Sequence, residues 1–152
     1  MRDNFWLDSR LNAIWEMLFL DTPKANKVHI RFKGRSRNKF GHIKMMRDKS
    51  TEIVVNSLFR SSLVPEYIVD LTIAHELVHY MHGFHSPLPR QFSHPHKGGI
   101  VDKELKKRGF LEMIRLEKKW VKEQWPNVYL QLHPGARQKR VVRRVSLFNF
   151  FR

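Results

Sequence analysis

Residues 65–83 read PEYIVDLTIAHELVHYMHG, and apolar side chains fall on nearly every side of this segment when it is drawn as a helix. A helix that is apolar all round belongs in the core of a protein. Pro65 suits the first turn of such a helix, and Gly83 is a natural residue to end it. The stretch therefore predicts a buried helix over residues 65–82, around which the rest of the fold is arranged.

The same stretch contains an H-E-x-x-H pentad at residues 75–79. Because positions four apart lie on one face of a helix, His75 and His79 can reach the same metal ion. Glu76 can then reach a water molecule bound to that ion. This is the sequence form of a one-metal hydrolytic site, with the glutamate as general base.

Neither chance nor simple hydrogen bonding accounts for the pentad as well as a metal does. A chain with 9 histidines is expected to contain only roughly 0.03 such pentads by chance. In a core helix the histidines could also form hydrogen bonds alone. However, two imidazoles and a carboxyl buried together need partners, and a divalent cation supplies one directly. The pentad therefore predicts a metal site.

Spacing alone does not fix the third metal ligand. Catalytic zinc usually takes three protein ligands and leaves a fourth position for water. The candidates that follow the pentad are His85, His94, His96 and Glu104. His82 lies on the same predicted helix, and three ligands from one straight helix rarely converge, so we interpret it as a supporting or surface residue.

Length and composition limit the setting of this site. A chain of 152 residues suits one compact domain. The absence of cysteine excludes disulfides, thiolate zinc sites and a cysteine nucleophile, so any metal must be held by histidine, carboxylate or water. The charged start of the chain and the interrupted apolar stretch at residues 11–20 fit neither a signal peptide nor a membrane span. We therefore expect a cytoplasmic, intracellular protein.

The chain is strongly basic, with 29 Lys and Arg against 14 Asp and Glu and a formal net charge of +15. Such an excess attracts polyanions, of which nucleic acid is the commonest inside a cell. Residues 31–49 carry eight basic side chains against Asp48 alone, and residues 137–144 are basic with no acid. A solvated surface is the alternative. The uneven distribution favours nucleic acid contacts through both segments.

Hydrophobic periodicity predicts an α+β fold with an N-terminal helix, a three-stranded antiparallel sheet, the buried pentad helix and C-terminal helices. The other helices are expected at residues 4–20, 99–108 and 111–125, and the strands at 28–32, 42–46 and 52–57. The buried stripe of the last helix is expected to comprise Ile114, Leu116, Trp120, Val121 and Trp125. Residues 128–132 suit a docked strand or a tail. We expect one domain over residues 1–132 and a basic extension over 133–152.

The pentad, the proline-bearing loop after it and the segment Pro95-His96-Lys97-Gly98-Gly99 resemble the SprT-like metallopeptidases, which include the Spartan DNA–protein crosslink proteases. The resemblance covers residues 28–110. It implies a small zincin-like domain with a zinc ion held by His75, His79 and His96, protein or peptide substrates, and an association with DNA. Lys97 departs from the His-Gly dipeptide of that family, and its cysteine zinc ribbon is absent. DNA binding would therefore fall to the basic segments.

Two functions follow from these observations. The first is a zinc-dependent metallopeptidase that uses Glu76 and a metal-activated water, although the ligand types also admit nickel or manganese. The second is a nucleic-acid-binding protein with a closed structural metal site and no protease activity. The aromatic end of the chain, residues 147–152, suits a docked strand better than a membrane or partner contact. Tyr67 and Tyr80 are expected in the core or on the surface.

Overall fold

The structure is a computed structural model, and it describes residues 1–136. Within them, one helix precedes three consecutive strands, and the remaining helices follow. The helices and strands in chain order are α1 (Asn4–Leu18), β1 (Val28–Phe32), β2 (Gly41–Met45), β3 (Thr51–Val55), α2 (Glu66–Met81), α3 (Ile100–Lys107), α4 (Leu111–Glu123) and α5 (Trp125–Leu132). Short 3-10 helices lie at Ser57–Arg60, Lys97–Gly99 and Pro134–Ala136. This order confirms the predicted α+β fold.

The predicted buried helix is α2, and it lies at the centre of the molecule. Every residue from Ile68 to Tyr80 is buried. The helix contacts α1, α3 and α4 as well as β2 and β3. At its end Gly83 adopts a φ of +82°, and a Cβ there would lie 2.5 Å from the carbonyl oxygen of Pro89. The loop after α2 therefore folds back closely over the end of the helix.

The three strands form a mixed sheet in the order β1-β3-β2. β2 and β3 are antiparallel, joined by a tight turn in which the Met46 N–H donates to the Ser50 carbonyl (2.8 Å). β1 runs parallel to β3, so the prediction of a fully antiparallel sheet is wrong for this strand. Alternation of apolar residues is the same in both strand directions, and here the loop at residues 33–40 carries the chain past β3 before β2 begins.

The two faces of the sheet differ in character. Ile30 and Ile43 flank Ile53 on the buried face, which α2 covers. On the opposite face the buried Val54 is surrounded by polar and basic side chains at the paired positions: His29, Arg31, His42, Lys44 and Glu52. The sheet therefore separates the core from a basic outer surface.

Two details of the C-terminal helices correct the sequence-based predictions. Residues 128–132 belong to helix α5, not to a strand, because Pro126 suits a first helical turn and a short apolar run fits either structure. Leu116 is 49% exposed, whereas the other four residues predicted for the buried stripe are buried. Among residues 1–136, no helix is both long enough and apolar enough to cross a membrane. The predicted extension from residue 137 lies outside the described residues.

Candidate metal centre

The structure brings His75, His79 and His96 together. The first two project from α2, and His96 lies immediately before the short helix Lys97–Gly99. The Nε2 atom of His79 is 3.1 Å from that of His75 and 3.0 Å from that of His96. One ligand nitrogen from each of the three rings lies within 4.8 Å of the others. Three histidines in this arrangement could hold a metal ion.

The dimensions of the cluster fit a small tetrahedral ion. Nitrogens bound at about 2.0–2.1 Å in a tetrahedron are separated by roughly 3.3 Å. Two of the distances in the cluster, 3.0 and 3.1 Å, are slightly shorter than this. His75 and His79 are buried whereas His96 is exposed, so the cluster is closed on the helix side and open toward solvent. An ion held here would keep a position for water.

The charge state of His79 suits coordination. Burial, followed by the charges of the neighbouring His96, His82 and His85, lowers the pKa of its imidazole to about 3. The ring is therefore neutral at pH 7, and a neutral imidazole is the form that binds a metal. No protons need to be displaced from this residue at physiological pH.

The backbone conformation of the loop after α2 places His96 next to that helix. The loop after Gly83 is held against the end of α2 by a hydrogen bond from Ser86 Oγ to the Tyr80 carbonyl (2.7 Å). Gly98 and Gly99 then adopt φ values of +78° and +65°, which glycine tolerates and most residues do not. These two glycines turn the chain from His96 into α3.

The other candidate ligands are not part of the three-histidine cluster. His85 accepts a hydrogen bond at Nδ1 from the Met45 N–H (3.3 Å), and Glu104 pairs with Arg108 (3.2 Å). His94 is exposed and outside the cluster. His82 is 3% exposed, with its ring against that of Phe92, so it is a buried residue and not a surface one. Burial, Arg90 and Lys44 lower the pKa of His85, which keeps its ring neutral at pH 7.

Glu76 lies beside the cluster in a buried position. Its side chain is 2% exposed, and burial raises its pKa to about 8, opposed by the positive charge of Lys39. β2 runs closely over this residue: a Cβ added to Gly41 would lie 3.4 Å from Glu76 Oε1 and 2.7 Å from Thr72 Cγ2. The carboxyl is therefore shielded from bulk water by the strand.

A cavity of about 220 Å³ opens over the histidine cluster. Its lining comes from α2, from β2 and from the loop after α2. The lining residues are His42, Ile43, Glu76, His79, Phe84, His85, Pro95 and His96. The sequence alone does not predict that β2 and Phe84 line this cavity, because their positions depend on how the sheet packs on α2.

β2 is the edge strand beside this cavity. Hydrogen bonds from Met46 N–H to Ser50 and from Asn56 N–H to Phe40 identify the pairs that bond across the β2–β3 ladder. Bonded and non-bonded pairs alternate in an antiparallel ladder, so the backbone N–H and C=O groups of Gly41 and Ile43 point away from β3. Within residues 1–136 no strand lies beside these groups, which form an open sheet edge next to the cluster.

The basic segment at residues 31–49 is only partly available for a partner. Arg31 pairs with Glu52 (3.0 Å), Arg35 donates to the Leu132 carbonyl (3.2 Å), and Arg37 lies over the ring of Tyr129. Lys33 and Lys39, by contrast, line a second cavity of about 160 Å³ together with His42, Gly41 and Val54. The segment at residues 137–144 lies outside the described residues.

Tyr80 is a structural residue, as expected. Its hydroxyl accepts from the Ala25 N–H (2.9 Å) and donates to Asn26 Oδ1 (2.7 Å). The ring is fully buried against Trp15. The phenol therefore fixes the chain before β1 and is committed to that role.

Comparisons of the chain with protein-family models, with curated proteins and with solved structures each found no match. The resemblance to the SprT-like metallopeptidases therefore rests on the motif residues themselves. The support for any function of this chain comes from the geometry of the cluster, the buried carboxyl and the strand edge beside them.

Proposed function

We propose that this protein is a zinc-dependent metallopeptidase that hydrolyses peptide bonds through a metal-activated water. The observation that carries the proposal is the convergence of three imidazole nitrogens, His79 Nε2 lying 3.0 and 3.1 Å from the other two, beside a buried glutamate. His75, His79 and His96 would hold the ion, and Glu76 would act as general base. Three imidazole ligands with a fourth position left for water are a usual arrangement of catalytic zinc.

The chemistry divides between the ion and the protein. A bound zinc ion supplies Lewis acidity, which polarises a carbonyl group and lowers the pKa of a coordinated water. Glu76 accepts a proton from the attacking water and passes it to the leaving amine. Burial raises the pKa of this carboxyl to about 8, and a dication beside it lowers that pKa again. The carboxyl can therefore both accept and release a proton near neutral pH.

The open edge of β2 supports a peptide as the substrate. An extended peptide can add to an exposed sheet edge through main-chain hydrogen bonds. The outward N–H and C=O groups of Ile43 offer such bonds in the cavity that Glu76 and His79 also line, and those of Gly41 continue the same strand edge. A peptide bound along this edge would present its carbonyl groups to the metal cluster, and the side-chain sequence would matter little to these contacts.

The test uses metal removal and a matched pair of histidine variants. Chelation should abolish cleavage of an unfolded protein substrate, and one equivalent of zinc should restore it. His96→Ala should bind zinc more than about 100-fold more weakly, since even the loss of a residue that only supports a ligand costs about 10–100-fold. His94→Ala is the control, because His94 is an exposed imidazole in the same loop, and it should bind zinc normally. Full zinc affinity in His96→Ala would contradict the assigned ligand set.

Binding to nucleic acid is a second candidate function, and the outer face of the sheet favours it. Lys33, Lys39 and His42 surround a cavity next to the edge strand, with the exposed Lys44 beside them. Basic groups gathered at one place form the footprint of a phosphate backbone. On this proposal the protease meets its substrates on DNA. If the protein only binds nucleic acid through this face and the metal is structural, Glu76→Gln changes neither the affinity for nucleic acid nor the metal content.

Salt dependence tests this surface. Neutralised phosphates give a slope of about −0.9 per contact when log affinity for duplex DNA is plotted against log salt. Replacing Lys33 and Lys39 by glutamate should flatten that slope by roughly 2, at about one unit per contact. Lys122→Glu, an exposed lysine on α4, is the control. An unchanged slope in the double variant would assign these lysines to a solvated surface.

A further inference from the structure

His85 occupies an unusual position at the mouth of the cavity. It follows α2 by four residues and adopts a φ of +55°, in the left-handed region that residues other than glycine seldom occupy. Its ring lines the same cavity as Glu76, His79 and His96. Uncommon backbone conformations cluster at functional sites, where the surrounding structure holds them in place.

Two hydrogen bonds fasten this residue to the end of the β2–β3 hairpin. The Thr51 hydroxyl donates to the His85 carbonyl (2.7 Å), and the Met45 N–H donates to His85 Nδ1 (3.3 Å). Thr51 and Met45 are partners in the strand register, and Thr51 is fully buried. Both the backbone and the ring of His85 are therefore positioned by the sheet.

A directed chain of hydrogen bonds sets the donor role of Thr51. Asn26 accepts at Oδ1 from the Tyr80 hydroxyl (2.7 Å), which fixes its amide so that Nδ2 donates. That Nδ2 donates to Thr51 Oγ1 (2.9 Å) and to the Lys49 carbonyl (2.9 Å). The Thr51 hydroxyl, having accepted this bond, directs its own proton to His85. Three side chains thus act together to hold one loop histidine.

The bond from Met45 also determines the tautomer of the ring. A neutral imidazole carries one proton, and a nitrogen that accepts a hydrogen bond cannot carry it. Because Nδ1 accepts from the Met45 N–H, the proton lies on Nε2. His85 therefore presents an N–H donor, and its acceptor nitrogen is already used. This excludes the ring as a general base through Nδ1.

We propose that His85 is a catalytic residue that donates its Nε2–H to the oxygen of the scissile carbonyl as negative charge develops there. The inference rests on the proposed peptidase function and deepens it. Preorganised donors directed at a developing oxyanion are usually among the largest contributions to catalysis. A loop pinned to the strand that would bind the peptide is well suited to keep such a donor in register with the substrate.

The step balances without any further reactant. The water oxygen bonds to the carbonyl carbon, the π pair moves onto the carbonyl oxygen, and Glu76 takes the water proton. When the C–N bond breaks, the pair returns from the oxygen to re-form the carbonyl, and the amine leaves with the proton from Glu76. His85 keeps its proton throughout and supplies only a hydrogen bond.

The experiment compares three replacements of His85 in the zinc-loaded protein. His85→Ala and His85→Asn, which lack a donor at the Nε2 position, should lower kcat by about 10²–10³-fold with little change in KM. His85→Gln places an amide N–H near that position and should recover most of kcat. Zinc content should be equal in all three. His29→Ala, on the opposite face of the sheet, should cleave at the wild-type rate.

A transition-state mimic separates catalysis from structure. The affinity for a phosphinic peptide should fall in His85→Ala by the same factor as kcat/KM, because interactions made only in the transition state are shared by its analogues. Wild-type cleavage by His85→Ala, or loss of zinc from it, would overturn the assignment while leaving the peptidase proposal intact. If zinc-loaded wild-type protein cleaves no peptide, the proposed function itself fails and takes this inference with it.

Discussion

Glu76 and Glu117 are two buried carboxyls in different regions of the same core. Each is 2% exposed, one on α2 and the other on α4. Burial raises the pKa of both, and near Glu117 the charge of Asp102 raises it further. Glu76 lies in a cavity beside imidazoles, whereas Oε2 of Glu117 has no hydrogen-bond partner within residues 1–136. Their burial is alike and their surroundings are not.

A perturbed pKa therefore does not by itself identify a catalytic residue. Desolvation acts on any carboxyl taken out of water, whatever its use. A catalytic carboxyl requires a reacting group nearby. In the described part of the chain, Glu76 lies beside such a group, the nitrogen cluster of the three histidines, and Glu117 does not. Tyr67, Asp102 and Lys118 interact electrostatically with Glu117, which is not part of the histidine cluster. It is therefore the natural control for every test of Glu76.

The largest expected effect is on cleavage. Glu76→Gln should lower the rate of peptide hydrolysis by about 10²–10⁴-fold, the usual contribution of a general acid–base. Zinc content should stay at the wild-type level, because the glutamate is not in the nitrogen cluster. Glu117→Gln should change the rate less than about threefold, since a buried isosteric replacement away from the cavity leaves the reacting groups in place. Initial rates on one unfolded substrate measure both variants.

Two outcomes would break the comparison at this point. Wild-type cleavage by zinc-loaded Glu76→Gln would remove the general base and favour a structural metal. A loss in Glu117→Gln as large as that in Glu76→Gln would mean that both carboxyls serve the reaction. Folding of each variant is checked by its thermal unfolding, so that loss of structure is not mistaken for loss of catalysis.

The next effect is on stability in the zinc-free protein. The Glu76 carboxyl keeps its proton up to about pH 8 in the folded state, but it loses it near its ordinary value of 4.5 when unfolded. Between these values the folded state binds more protons, so the free energy of unfolding of the wild type falls as pH rises. In Glu76→Gln the side chain does not ionise, so its free energy of unfolding does not show this decrease. Its advantage should grow from near zero at pH 4.5 to at most about 5 kcal/mol above pH 8.

Urea unfolding in the presence of a chelator measures this difference at several pH values. Titration of Glu117 and of His79 occurs in both proteins and cancels in the difference. Adding zinc should reduce the difference in the free energy of unfolding between the two proteins, because a dication favours the ionised carboxylate. A difference that does not change with pH would show that Glu76 is already ionised in the folded protein, and the contrast with its ordinary pKa would disappear.

The sequence predicts those parts of the molecule that lie within one continuous segment. α2 follows from its apolar composition and its end residues, and the pairing of His75 with His79 follows from helical spacing. The choice of His96 rests on a family resemblance, since spacing alone leaves four candidates. The strand positions also follow from alternation. The direction of β1 does not, because parallel and antiparallel strands share one periodicity.

The remaining errors come from tertiary contacts. A stripe chosen by apolar character on α4 includes Leu116, which is exposed, and omits Glu117, which is buried. Helical spacing alone places Glu117 between Ile114 and Val121 on the buried face. β2, which lines part of the cavity, lies some thirty residues before the pentad in the sequence. Neither a buried carboxyl nor a docked strand can be predicted from local composition.

A smaller effect tests how tightly the edge strand covers Glu76. In Gly41→Ala the new Cβ would lie 2.7 Å from Thr72 Cγ2 and 2.9 Å from the Val54 carbonyl oxygen. Overpacking of this kind should lower the free energy of unfolding by about 1–3 kcal/mol. The strand should also shift away from the carboxyl and slow cleavage. Gly135→Ala, whose new Cβ meets nothing within 4 Å among residues 1–136, should stay within about 0.5 kcal/mol of wild type.

Denaturant unfolding of both glycine variants gives the comparison directly. Equal stability of Gly41→Ala and wild type would mean that β2 can move off α2 without cost. In that event the shielding of Glu76 is loose, and its pKa should lie closer to its ordinary value.

The smallest effect concerns Glu117 itself. A buried polar atom without a partner costs about 1–3 kcal/mol, and a methionine of similar length removes that cost without leaving a cavity. At pH 5, where burial keeps the Glu117 carboxyl protonated, Glu117→Met should raise the free energy of unfolding by about 1 kcal/mol. At pH 8 the gain should be larger, because the wild type also loses stability as its unfolded state ionises.

Zinc affinity and cleavage should be unchanged in Glu117→Met, whereas Glu76→Met should stabilise the zinc-free protein and abolish cleavage. A Glu117→Met protein that is less stable than wild type at pH 5 would indicate that the carboxyl has a bound water or another partner, and the two glutamates would then differ in solvation as well as in chemistry.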